Sequence, residues 1–126
     1  MPEQTVLVVD DEPLIRMTLA DALLDEGYDV IEASNVLEAV AVFGTRHIDV
    51  LVTDVDMPGA LNGFDLVRFV RIHRRHVVVV VTSGGSVPGE GVLQDDETFI
   101  AKPYRLESLI DTLRNPARRP MLKKRG

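Results

Sequence analysis

The sequence predicts an α/β fold of five parallel strands in the order 2-1-3-4-5, with helices on both faces of the sheet. Three observations lead there. Short β-branched runs, such as Val6-Leu7-Val8-Val9 and the valines from Val77 to Val81, are the pattern of strands buried on both faces. Between the runs, apolar residues recur at helical spacing, so strand and helix alternate. Right-handed crossovers then leave few topologies, of which 2-1-3-4-5 is a common one.

The elements follow in order. The first strand, Val6 to Val9, ends at Asp10-Asp11-Glu12. Pro13 suits the first turn of a helix, where a missing N–H costs nothing. Ile15, Leu19, Ala22 and Leu23 carry that helix, and Gly27 stops it. Tyr28 to Ala33 is the second strand. Asn35 and Glu38 are spaced as a capping box before a stripe of Val36, Val40 and Phe43. Asp49 to Thr53 is the third strand, and it stops on Asp54, with Asp56 and Pro58 just beyond. Phe64, Val67 and Val70 mark the third helix, which runs into the basic cluster of Arg71, Arg74 and Arg75. Val77 to Val81 and Thr98 to Ala101 are the last two strands, and Leu106, Leu109, Ile110 and Leu113 the last helix. Between those strands, Gly84 to Glu97 holds Gly84, Gly85, Gly89, Gly91 and Pro88. A fourth helix there is expected to be short, distorted or absent.

One domain, residues 4–115, is expected, followed by a mobile basic tail over 116–126 that has no periodicity. Hydrophobic residues make up 45% of the 126, yet no apolar run is long enough to span a membrane. Met1 to Thr5 passes straight into a strand, which leaves no room for a signal peptide, so a cytoplasmic location is expected. The absence of cysteine excludes disulfides, thiolate metal sites and cysteine nucleophiles. A net charge of −6 speaks against nucleic-acid binding and suits a protein that gathers a cation.

In an open parallel sheet, ligands sit beyond the carboxyl ends of the strands, and strands 1 and 3 lie side by side at the switch point. Asp10, Asp11 and Asp54 are thereby expected to converge. Three carboxylates so close would repel, and a divalent cation with oxygen ligands, Mg²⁺, removes that penalty. Thr82 ends the fourth strand with a hydroxyl and Lys102 ends the fifth with an ammonium. Carboxylate, metal, hydroxyl and lysine at one rim describe a phosphoryl site with an aspartate nucleophile. Each residue alone has a bland reading: acids at a helix N-terminus, a turn-forming aspartate, a strand-ending threonine, a surface lysine. Those readings would all have to fall on strand ends by accident.

Val-Val-Asp10-Asp11-Glu, Thr-Asp54-Val-Asp-Met57-Pro58, Val-Val-Thr82-Ser and Ala-Lys102-Pro103-Tyr together resemble the receiver domain of two-component response regulators, over about residues 4–115. The resemblance implies the flavodoxin-like receiver fold and, with no folded segment after Arg114, a stand-alone receiver. It implies that Asp54 accepts a phosphoryl group from a phosphohistidine on a histidine kinase or histidine phosphotransfer protein. It implies Mg²⁺, replaceable by Mn²⁺, held by Asp11, Asp54 and the backbone carbonyl of Asp56, with Asp10 helping directly or through water. Thr82 and Lys102 would grip the phosphoryl oxygens, and Lys102-Pro103 would be a cis peptide. Phe99 matches the family's aromatic that turns inward as the threonine moves toward the phosphate. Such a protein signals to a further, unidentified protein target and is not a turnover enzyme.

Three departures from the family pattern stand out. The turn Pro58–Gly63 is one residue longer than usual. Asp56 adds a carboxylate at a position that tunes dephosphorylation, or else is a solvated loop acid. The glycine-rich stretch weakens a face that receivers use for dimers, so a monomer or weak dimer is expected. Two other functions fit parts of the sequence: a small Mg²⁺-dependent phosphatase built on Asp54-Val-Asp56, and a degenerate receiver that binds a partner without phosphorylation.

Overall fold

A computed structural model describes residues 4–115. β1 (Thr5–Val9), β3 (Val50–Asp54) and β4 (Val78–Ser83) form the middle of the sheet, flanked by β2 (Asp29–Ala33) and β5 (Glu97–Ala101). The order is β2-β1-β3-β4-β5 and every pairing is parallel, as predicted. The central strands are apolar at successive positions because both faces are covered. Leu7, Val9, Leu51, Val79 and Val81 face one core, with Phe43 of α2 (Val36–Thr45) and Leu66 of α3 (Gly63–His73). Val6, Val8, Val50, Val52 and Val80 face the other, with Leu23 of α1 (Pro13–Asp25) and Leu109 of α4 (Leu106–Arg114).

Observed bounds differ from the predicted ones by one or two residues at most strand ends. At the head of β3 the difference has a cause. Asp49 lies outside the strand: its Oδ2 accepts the Thr5 amide at 2.8 Å, and its own amide donates to the Thr5 carbonyl at 2.9 Å. That acid aligns the starts of β1 and β3. The predicted tail over 116–126 lies outside the described residues.

Of the outcomes expected between β4 and β5, a helix that is short, distorted or absent, the structure shows the last, and 84–96 runs as a strap of turns and bends. Its glycines and Pro88 make helix costly. Tertiary contacts hold it instead. Leu93 packs against the α2/α3 core. Arg71 on α3 donates to Glu97 from Nε at 3.0 Å and from Nη2 at 2.5 Å, and Nη2 also donates to the Val92 carbonyl at 3.1 Å.

Helix starts show a second difference. Asn35 caps α2 by accepting the Glu38 amide at 2.9 Å, but Glu38 reaches back to the Ser34 amide and hydroxyl, so the box is incomplete. The complete capping box is at α3. Asn62 Oδ1 accepts the Phe64 and Asp65 amides, and Asp65 Oδ2 accepts the Asn62 amide at 2.7 Å. This box ends the lengthened turn and brings Gly63 against β3. A Cβ at Gly63 would lie 2.2 Å from the Asp54 carbonyl oxygen and 2.8 Å from the Val55 Cα. Neither backbone atom can yield cheaply. Gly63→Ala is therefore expected to destabilise the fold by ~3 kcal/mol, read as a lower urea midpoint at unchanged slope.

Candidate functional site

The strand order seats β1 beside β3, and residues distant in sequence meet at their ends. One carboxylate oxygen from each of Asp10, Asp11 and Asp54 lies within 4.8 Å of the others. Asp10 and Asp54 are each only 4% exposed, and Asp11 is half-buried. Asp10 is set firmly: its amide donates to the Ala33 carbonyl, its Oδ1 accepts the Glu12 amide at 3.0 Å, and Arg16 Nη1 donates to its carbonyl at 2.9 Å. Thr82 is buried directly opposite Asp54 in the β3–β4 register, and the Val55 amide donates to its carbonyl.

Lys102 follows β5, where its amide donates to the Ser83 carbonyl and a cis peptide bond joins it to Pro103. Its Nζ lies 3.1 Å from Asp10 Oδ2, 3.3 Å from Asp54 Oδ1 and 4.0 Å from Glu12 Oε1. Burial opposes the ammonium charge. The hydrogen bond and attraction to Asp10, joined by those to Asp54, outweigh it and raise the lysine's pKa above its ordinary value. One ammonium cannot neutralise all the acids around it. Burial is the largest cause that raises the Asp54 pKa to about 6, with Lys102 opposing and the charges of Asp10 and Asp56 adding.

This donor set fits a hard divalent cation: all oxygen, closely spaced and short of positive charge. Beside it opens a cavity of about 270 Å³ lined by Asp11, Glu12, Asp54, Asp56, Gly85 and Lys102. A nucleophilic carboxylate at the floor of a charged, open pocket can receive an electrophilic group from outside. Asp10, Asp11, Asp54, Thr82 and Lys102 are thus brought together as expected.

Two expected site residues lie outside that cluster, Phe99 on another face of the sheet and Asp56 at the rim of the cavity. Phe99 is half-buried on the α2/α3 face, level with Val81 in the neighbouring strand. The Asp56 carboxylate is exposed yet bound, accepting the Ser83 hydroxyl on Oδ2 and the Ser86 hydroxyl on Oδ1, each at 2.8 Å. It is not a freely solvated loop acid. Ser86 and Glu12 were not among the predicted site residues. Glu12 directly follows Asp10-Asp11 and was legible there, but Ser86 carries no motif and depends on how the strap folds.

A family profile described as the response regulator receiver domain matches residues 6–114. The transcriptional regulatory protein TcrA of Mycobacterium tuberculosis is 34% identical over 119 residues, which are 90% of this chain and 46% of that protein. The phosphate regulon transcriptional regulatory protein PhoB of Pseudomonas aeruginosa is 33% identical over 94% of this chain and 54% of its own length. The chain thus spans about half the length of these curated relatives. Among solved structures, the response regulator TrrA of Thermotoga maritima, in complex with Mg²⁺-BeF, superposes with a TM-score of 0.81 at 25% identity, over 90% of this chain and 98% of that one. The chemotaxis protein CheY4 of Vibrio cholerae gives 0.77 at 29% identity, over 90% of this chain and 98% of that one. The phosphatase alternative finds no favour, since Asp54-Val-Asp56 closes the third strand of a fold that these receivers share over most of its length. The chain belongs to the response regulator receiver domain family of two-component systems.

Proposed function

We propose that Asp54 is the phosphoacceptor of this receiver, taking its phosphoryl group from a phosphohistidine on a histidine kinase or a histidine phosphotransfer protein. The observation that carries this reading is the placement of Asp54 at the floor of the pocket, with Asp10 and Asp11 within ligand distance and Lys102 Nζ at 3.3 Å. Asp11, Asp54 and the backbone carbonyl of Asp56 would hold Mg²⁺, or Mn²⁺ in its place, with Asp10 helping directly or through water. The bound cation supplies positive charge against the phosphoryl oxygens.

The chain's own residues do the rest. An Asp54 carboxylate oxygen forms the new bond to phosphorus as the histidine nitrogen–phosphorus bond breaks, and the imidazole leaves with that electron pair. Lys102 exchanges its Asp54 contact for a phosphoryl oxygen and keeps Asp10. Thr82 donates its hydroxyl to another phosphoryl oxygen, and Phe99 takes the space this vacates, a shift between two packings. The product is a phosphorylated signal rather than a released compound, so the chain is a phosphoacceptor and not a turnover enzyme. A protein donor is supported by the apolar hollow of about 540 Å³ beside Lys102, lined by Leu14, Ile15, Tyr104 and Leu106. Leu14 is 80% exposed there, an apolar rim that a docked protein would cover.

Incubation with Mg²⁺ and acetyl phosphate is expected to add one phosphoryl group to the intact mass. Chelation is expected to prevent the addition and Mn²⁺ to restore it. No adduct on the wild type, or an undiminished adduct on Asp54→Asn, would refute the assignment. Sustained turnover of a generic phosphate ester would revive the phosphatase.

A further inference from the structure

The strap that replaces the fourth helix is fastened at both ends. Its far end is pinned by Arg71, Glu97 and the Gln94 amide, which donates to Glu97 Oε1 at 2.8 Å. Its near end is pinned through Ser83. That hydroxyl donates to Asp56 Oδ2 at 2.8 Å and accepts the amides of Gly85 at 3.2 Å and Ser86 at 2.8 Å. Ser86 then donates its own hydroxyl to Asp56 Oδ1 at 2.8 Å. The bonds from Gly85 and Ser86 to Ser83 are an ordinary local turn. Those to Asp56 are not, since they cross 27 and 30 residues of sequence and engage both oxygens of one carboxylate.

Asp56 also lines the cavity above Asp54. The acid that holds the strap therefore borders the space a phosphoryl group would enter. We propose that Asp56, gripped by Ser83 and Ser86, is a positioning residue that couples phosphorylation of Asp54 to the strap, so that the phosphorylated chain frees the near end while the far end stays pinned. This rests on the phosphoacceptor reading above. Two physical effects drive the release. The phosphoryl group brings negative charge and acceptor oxygens beside Asp56, which the serine hydroxyls then divide between competing partners. Thr82, drawn toward the phosphoryl group, is covalently next to Ser83, so the hub of the clasp moves with it. A coupling needs an interaction that differs between the two states, and these hydrogen bonds supply it.

The test follows amide hydrogen exchange by NMR in the full chain, before and after treatment with acetyl phosphate and Mg²⁺. The Gly85 and Ser86 amides bond to the Ser83 hydroxyl, and their exchange is expected to rise by about tenfold, because losing one serine hydroxyl bond to the charged Asp56 eases opening of the near end by that factor. Gln94 is expected to keep its rate. Ser86→Ala is expected to show the raised exchange without phosphorylation and to gain little from it, and Ser86→Thr, which keeps the hydroxyl, to restore wild-type behaviour. Intact mass on the same samples separates the failures. A missing adduct overturns the phosphoacceptor reading and the coupling with it. A full adduct with unchanged exchange at Gly85 and Ser86, or with an equal rise at Gln94, overturns the coupling alone.

Discussion

Asp54→Asn is expected to make the metal-free protein more stable at neutral pH, by ~3 kcal/mol, while leaving it little changed near pH 4. The direction follows from the proton balance. In the folded chain the Asp54 carboxyl keeps its proton up to about pH 6, whereas its ordinary pKa is 3.8. Between those values the folded state binds more protons than the unfolded state. The contribution to stability is therefore full below pH 3.8, is lost as pH rises through about 6, and stays lost above it. Asparagine has no charge to desolvate, so the variant escapes the loss. Lys102 keeps Asp10 at 3.1 Å and is not orphaned by the change. Urea midpoints from pH 4 to 8 measure the gap, and a gap that does not widen with pH would contradict the burial argument. Excess Mg²⁺ is expected to close it, because a cation that binds only the folded wild type stabilises it by mass action. The charge that destabilises the resting protein is thus the one that the proposed function uses to hold the cation and to attack phosphorus.

Arg71→Ala is expected to cost about 3–5 kcal/mol, a large share of a total stability of roughly 5–15. The Glu97 side chain is 6% exposed and receives two hydrogen bonds from Arg71. Removing the guanidinium leaves a buried carboxylate that keeps the Gln94 amide as a donor, and it frees the Val92 carbonyl. Both losses fall on the strap and on β5, the strand that leads to Lys102. The paired change Arg71→Met with Glu97→Leu is expected to recover much of the loss, since an apolar pair of similar volume has no charge to desolvate. Thermal or urea unfolding decides it. A single variant within about 0.5 kcal/mol of wild type would place the fastening of the strap elsewhere.

Most of the fold was legible in the sequence because its signals are local. An unbroken β-branched run reports burial on both faces wherever it ends up, and helical spacing reports an apolar face whatever covers it. The acids at Asp10, Asp11 and Asp54, with Thr82 and Lys102, were legible as a group because each closes a strand and parallel strands bring their closing residues to one rim. The glycines and Pro88 likewise foretold the failure of the fourth helix.

What the tertiary structure decided is what depends on partners across the fold. Asn35-Glu38 and Asn62-Asp65 have the same spacing, yet only the second completes its box, because Glu38 finds Ser34 instead. Asp56 reads as either a site carboxylate or a solvated loop acid until the strap sets Ser83 and Ser86 against it, and the strap's course is dictated by Arg71 and Glu97 and not by propensity. The pKa of Asp54 near 6 is decided the same way. It depends on how deeply β1 and β4 bury a carboxylate and how Lys102 divides its single charge, and both the loss of water and the attraction between charges follow distances that only the packed chain defines.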